Sequence, residues 1–164
     1  NKILEKCPRV NTTIMSTYNA LSVPSYKKLL DGVYGLKKTY GSDDRYWNSA
    51  VFLDASYLRY PTHQTVQVLP QKWSMEILQQ AQYADYLGVP LFDTKHIGYS
   101  DIEIQKLKRL YDWMISANDK DSINRQRYNF GKFFKEHDVR RGTNFKETFP
   151  EFAEFYDDCQ RIKL

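Results

Sequence analysis

Apolar and polar positions change period several times along the 164 residues. Residues 10–18 (VNTTIMSTY) are rich in β-branched side chains and place Val10, Thr12 and Ile14 on one face, which predicts a strand. Over residues 25–40 the period lengthens. Tyr26, Leu29, Leu30, Val33, Leu36 and Tyr40 recur every three or four positions with lysines on the other side, which predicts an amphipathic helix. Gly32 and Gly35 weaken it by about 1 kcal/mol each relative to alanine. After a loop at 41–44, residues 50–55 are apolar on both sides, as in a buried strand, and this strand should run to Arg59 before Pro61 ends it. Residues 65–69 (TVQVL) alternate ahead of Pro70, as a short strand or an extended loop.

A second helix begins at Trp73, with Ile77, Leu78, Ala81, Ala84 and Leu87 as its stripe and Gly88 as its stop; residues 89–92 then read as a third core strand. Ser100-Asp101-Ile102-Glu103 forms a capping box, in which the serine oxygen and the glutamate each satisfy a backbone N–H at the helix start. That helix should run to about Ala117. Its stripe is Ile104, Leu107, Tyr111, Met114 and Ile115, each contributing roughly 1.5–3 kcal/mol if fully buried. Residues 118–121 break the pattern. A further helix from near Ser122 turns Ile123, Phe130, Phe133, Phe134 and His137 inward, and a last one after Thr148 buries Phe152, Phe155, Tyr156 and Cys159. The spacing of Thr148 to Glu151 repeats the capping box. Between these helices lie Arg140-Arg141-Gly142-Thr143-Asn144-Phe145 and Thr148-Phe149-Pro150-Glu151-Phe152. A glycine able to take positive φ and an aromatic-proline helix start predict a chain reversal packed against something.

Strand and helix alternate three times before the two closing helices, which argues for an α/β fold built from βαβ units with a parallel sheet. Three parallel strands leave both sheet edges unpaired, so a missing half or an obligate partner is expected. The sequence contains no internal repeat, low-complexity tract or linker.

Composition narrows the classes. Hydrophobic residues make up 41% and charged residues 27%, as in a globular protein, and no apolar run approaches the ~18 residues of a membrane span. A net charge of +4 is too mild to imply a polynucleotide partner and suits a small anionic ligand equally well. Cys7 and Cys159 sit near opposite ends without paired spacing, which disfavours a disulfide scaffold and points to a reducing, cytoplasmic setting. The chain starts at Asn1 with no charged-then-apolar leader, so no secretory peptide is expected and Asn1 reads as a cut end.

Three stretches carry a resemblance: Thr17-Tyr18-Asn19-Ala20-Leu21-Ser22 after the first strand, Tyr57-Leu58-Arg59-Tyr60-Pro61 with Val66-Gln67-Val68-Leu69-Pro70 after the second, and the tail from Phe130 to Phe155. Together they resemble the later part of radical S-adenosylmethionine (radical SAM) enzymes, closest to those with a twitch-type C-terminal extension. The resemblance implies half of a partial (β/α)6 barrel with parallel strands over residues 1–117, followed by a helical C-terminal extension over 118–164. It implies S-adenosylmethionine and a 4Fe-4S cluster as cofactors, used for radical chemistry on an unnamed substrate. The family's Cys-x-x-x-Cys-x-x-Cys signature and its glycine-glycine-glutamate turn are both missing from this sequence. The cluster ligands are therefore expected outside this chain, in a missing N-terminal barrel half or an obligate partner, because two distant cysteines cannot supply three thiolates.

The resemblance also assigns polar residues at one strand end and an arginine after the next to the methionine end of the cofactor, which here are Ser16, Thr17 or Asn19, and Arg59. From the residues alone, a guanidinium at a strand's C-terminal end offers a planar fork that fits a carboxylate. The alternative is that Arg59 pairs with Asp54, which sits inside an apolar strand and needs Arg59 or a lysine as partner. Ser16 and Asn19 belong to residue types that are more often turn formers and caps than ligands, because their side chains readily bond local backbone.

His63, His96 and His137 share no i, i+4 spacing, so no zinc-hydrolase motif is present. His96, after the third expected strand, would face the same crevice as Arg59, toward adenine or substrate, or else sit in a solvated loop. Gly32-x-x-Gly35 lies inside a helix and is no phosphate loop, and no G-x-S-x-G elbow occurs. A non-catalytic binding or assembly module, with Arg127, Lys132, Lys135, Arg140 and Arg141 as a weak nucleic-acid surface, is the alternative function. Against it, burial accounts for most of the aromatic residues more simply.

Overall fold

The computed structural model of the chain describes residues 2–7, 10–41, 50–88 and 97–164. After a short helix α1 (Lys2–Lys6), strand β1 (Thr12–Tyr18), helix α2 (Tyr26–Tyr40) and strand β2 (Val51–Tyr57) form one βαβ unit. The strands run parallel in register, from Thr12 opposite Val51 to Tyr18 opposite Tyr57. Helices α3 (Lys72–Tyr86), α4 (Asp101–Ile115), α5 (Lys120–Arg141), α6 (Phe145–Thr148) and α7 (Ala153–Arg161) follow. The protein is thus a mixed α/β molecule with one two-stranded parallel sheet among the described residues and a helical C-terminal part. The third expected strand, 89–92, and His96 lie outside the described residues.

The period-2 pattern of the strands decides which way the sheet faces. Val51, Leu53 and Ala55 are buried, and α2 covers the face that carries them. The other face carries Thr13, Met15 and Thr17 of β1, in register with Phe52, Asp54 and Ser56. There Met15 is 81% exposed. Parallel sheets are normally covered on both faces, so this bare face and the unpaired outer edge of β1 among the described residues are unusual for the architecture.

Helix α4 packs along the edge of β2 that faces away from β1. Its Ser100–Glu103 capping box forms as the sequence predicts, and Ile104, Leu107, Leu110 and Met114 are buried, whereas Ile115 turns to solvent. The Glu103 carboxylate reaches past the cap to accept the Leu53 backbone N–H at 2.7 Å and the Lys37 ammonium of α2.

Residues 65–69 form neither strand nor extended loop. Two 3-10 turns, Thr62–Gln64 and Val66–Val68, wind this stretch so that Thr65, Val66, Val68 and Leu69 are all buried, which a strand with alternating faces cannot do. The Thr148–Glu151 box also fails to form. Asn144 caps α6 instead, Thr148 donates its hydroxyl back to the Asn144 carbonyl at 3.0 Å, and a 3-10 turn led by Pro150 carries the chain into α7.

The reversal after α5 packs against a cluster of phenylalanines. Gly142 takes φ 61° at the end of α5, in the left-handed region. Asp138 then fastens the turn, accepting from Thr143 Oγ1 and from Phe145 N, each at 2.8 Å. Phe145 inserts beside Phe130, Phe134 and Tyr156, and Phe152 packs on Trp73 of α3 at 4.8 Å. The apolar core therefore runs without a break across the boundary at 117/118. Phe133 and His137, expected inward, stand on the outer side of α5, because Phe130 and Phe134 occupy its buried face.

Candidate functional site

In open parallel sheets the ligand crevice lies beyond the C-terminal ends of the strands. Here that region is bounded by Asn19 after β1 and by Leu58 and Arg59 after β2. The Arg59 guanidinium donates to the Tyr57 hydroxyl at 3.0 Å and lies over its ring, 5.3 Å from the centroid. Tyr57 in turn stacks on Trp113 of α4, with ring centroids 4.7 Å apart and planes 19° from parallel. This stack fixes where the arginine head can sit, since a guanidinium over an aromatic face gains about 0.5–1 kcal/mol at an exposed site.

Asp54 does not pair with Arg59. Its carboxylate is taken by Lys106 of α4 at 2.6 Å, and Lys106 Nζ also lies 5.3 Å from the Phe52 ring centroid. The Arg59 guanidinium is thus exposed and has no carboxylate partner among the described residues.

The other expected site residues fall on different sides of the strand end. Thr17 is exposed on the open face, opposite Ser56. Ser16 points to the helix-covered face beside Tyr26; burial pushes the Tyr26 phenol up, and the Ser16 hydroxyl works in the opposite direction without closing a hydrogen bond. Asn19 caps the 3-10 turn Ala20–Ser25, its Oδ1 accepting from Leu21 N at 2.9 Å while Ser22 Oγ accepts from Asn19 N at 3.3 Å. Among these residues Arg59 lies at a cavity wall.

Arg59 borders two cavities. One, of about 460 Å³, lies under the 3-10 turns and is lined by Thr62, Gln67, Trp113 and Gln126. Gln67 Nε2 donates to the Trp113 carbonyl at 2.9 Å, while the Trp113 indole N–H is buried without a partner. The other, of about 400 Å³, opens on the bare sheet face and is lined by Asp54, Ser56, Tyr57, Lys106 and Arg109. Trp113 and Arg109 escaped the sequence reading, Tyr57 appeared there only within a stretch of resemblance, and Lys106 is the unnamed lysine expected for Asp54. Lys106, Arg109 and Trp113 stand at i, i+3 and i+7 on α4 and so share a face, but such a basic stripe looks the same as a solvated one.

The chain's own residues do not fit an iron–sulfur cluster. Cys7 is exposed near the start, and Cys159 is buried between α5 and α7 with its thiol pushed up to about 12 by burial. No group of three His, Cys, Asp or Glu that could hold a metal occurs among the described residues. Arg59 does fit a carboxylate, because its fork is exposed and uncompensated. Within the described residues no helix is long and apolar enough to cross a membrane. Comparison with known families, curated proteins and solved structures finds no match to this chain.

Proposed function

We propose that this chain forms the later part of a radical SAM-type partial (β/α)6 barrel, acting with a 4Fe-4S cluster held outside it. The carrying observation is Arg59, a guanidinium at the C-terminal end of a parallel strand, held by Tyr57 and without a carboxylate partner among the described residues. Arg59 clasps the carboxylate of S-adenosylmethionine in this reading. Thr17 meets the polar end of the cofactor through its exposed hydroxyl, while Ser16 and Asn19 act through the strand end they shape. The bare face and the outer edge of β1, unpaired by a strand among the described residues, support the reading, since further strands of a barrel would cover both.

The test is S-adenosylmethionine binding to the cluster-bearing protein, with and without Arg59→Ala. Affinity is expected to fall at least about tenfold, the scale of one charge-assisted bidentate contact. An unchanged affinity in a variant with native circular dichroism refutes the Arg59 assignment. A natural coding sequence that supplies no Cys-x-x-x-Cys-x-x-Cys segment, in this polypeptide or its partner, refutes the radical reading.

The same open sheet supports a second reading, a non-catalytic assembly module whose partner adds strands to β1. Its nucleic-acid form would rest on a groove between α5 and α7 lined by Lys132, Lys135 and Arg140. Salt-sensitive binding of single strands, lost on neutralising those lysines, would favour that form.

A further inference from the structure

The cavity on the open sheet face has an unbalanced set of charges. Among the described residues Arg59, Lys106 and Arg109 line it, with Asp54 as the one carboxylate. Lys106 and Asp54 neutralise each other at 2.6 Å. What is left is two guanidinium charges, from the end of β2 and the middle of α4, facing one space of about 400 Å³. Among the described residues Arg109 bonds to its own helix, from Nε to the Gln105 carbonyl at 3.4 Å, a contact that does nothing to balance its charge. The groove between α5 and α7 differs in kind. There Lys132, Lys135 and Arg140 all project from one helix, and Glu136 already pairs with Arg140 at 3.6 Å.

Two like charges converging from separate elements are a cost that a bound dianion removes. A tetrahedral phosphoryl group carries about two negative charges near neutral pH and three acceptor oxygens, which match two forks and an ammonium. The Tyr57 ring and the Ser56 hydroxyl, which also line the cavity, add an apolar surface and a further donor. We propose that Arg109, Lys106 and Arg59 form a phosphoryl-binding site on the open face of the sheet, and that the substrate handled at this strand end is phosphorylated. Phosphate binding stands on this geometry alone; only its assignment to the substrate rests on the radical SAM reading. Arg59 borders both cavities, and a guanidinium has five N–H donors, so it can serve the cofactor carboxylate and the phosphoryl group together.

The test is titration of the chain with inorganic phosphate at low ionic strength, followed by calorimetry and by the arginine Nε–Hε resonances. Saturable one-to-one binding is expected, weakened at least about tenfold by Arg109→Gln and unchanged by Lys132→Gln with Lys135→Gln. Acetate should bind at least about tenfold more weakly, because a monoanion leaves one guanidinium uncompensated. Arg109 is exposed and its hydrogen bond runs to its own helix turn, so the variant should fold, which circular dichroism checks. Absence of saturable binding, equal binding of acetate, or loss of binding in the α5 variants overturns the proposal. A second arm separates the two readings. In the cluster-bearing protein, Arg109→Gln should leave S-adenosylmethionine affinity unchanged, and a loss there with phosphate binding intact would mean that the cavity belongs to the cofactor.

Discussion

Lys37 and Glu103 form a buried ion pair that ties α2 to α4, with the ammonium 2.9 Å and 3.0 Å from the two carboxylate oxygens and both side chains at most 2% exposed. Glu103 also accepts from Leu53 N at 2.7 Å and from Ser100 N at 2.8 Å, so one carboxylate joins two helices and a strand edge. Burial depresses the Lys37 ammonium below the ordinary lysine range, and Glu103 pulls it back. Removing one member of such a pair leaves the other charged and dry, at a cost of about 3–5 kcal/mol. Glu103→Gln should therefore lose close to that amount in urea unfolding. Lys37→Met should lose less, because the carboxylate keeps its bonds to Leu53 and Ser100. The double variant should be more stable than the sum of the single losses implies, and strict additivity would show that the two side chains do not couple.

Two buried phenols set the alkaline limit. Tyr18 donates to Gln80 Oε1 and Tyr99 to the Leu30 carbonyl, each at 2.7 Å, and burial raises both phenols far above their ordinary value. A group whose folded value is raised keeps its proton in the native state while the unfolded chain releases it. The stability it contributes is complete below about pH 10 and falls as pH rises beyond. Absorbance at 295 nm should show these two phenols ionising only as helical signal is lost. Tyr18→Phe should reduce the slope, at a cost of about 0.5–1.5 kcal/mol at neutral pH for the unpaired Gln80. Full titration of every tyrosine in the folded chain would contradict this.

Helices α2, α3, α4, α5 and α7 and both described strands were legible because their burial follows their periodicity, the buried residues of α2 and α4 being largely those on the apolar stripes, whereas the short α1 and α6 were not read. The exceptions have physical causes. Lys37 sits within the polar lysine face of α2 but is drawn in by Glu103, a partner 66 residues away that no local pattern shows. The stretch 65–69 alternates like a strand, yet with no strand paired to it among the described residues it winds into turns that bury neighbouring side chains together. At the site, Arg59 was visible from its place after a strand, and Asn19 was visible as a cap. The stack of Tyr57 on Trp113 and the convergence of Arg109 with Arg59 depend on how α4 crosses β2, which spacing along the chain does not encode.

Three helical glycines should respond in opposite directions to the same substitution. At Gly32 and Gly35 of α2 an added Cβ meets nothing within 4 Å, and neither residue has positive φ. Alanine there restricts the unfolded chain without strain, so Gly32→Ala and Gly35→Ala should each stabilise by about 0.5–1 kcal/mol. Gly131 lies where α5 crosses α7, and a Cβ there would come 3.1 Å from Cys159 Cβ and 3.2 Å from its carbonyl carbon. It would also sit 2.9 Å from Gln160 Nε2, which now donates to the Gly131 carbonyl at 2.6 Å. The side chain of Gln160 can move, but the backbone of α7 must retreat by a few tenths of an ångström, which loosens the contacts of Phe155 and Cys159. Overpacking of this kind costs about 1–3 kcal/mol, more than the helical gain from alanine. Gly131→Ala should therefore lower the melting temperature while the two α2 variants raise it, and a rise for all three would mean that α7 can shift away from α5 without loss.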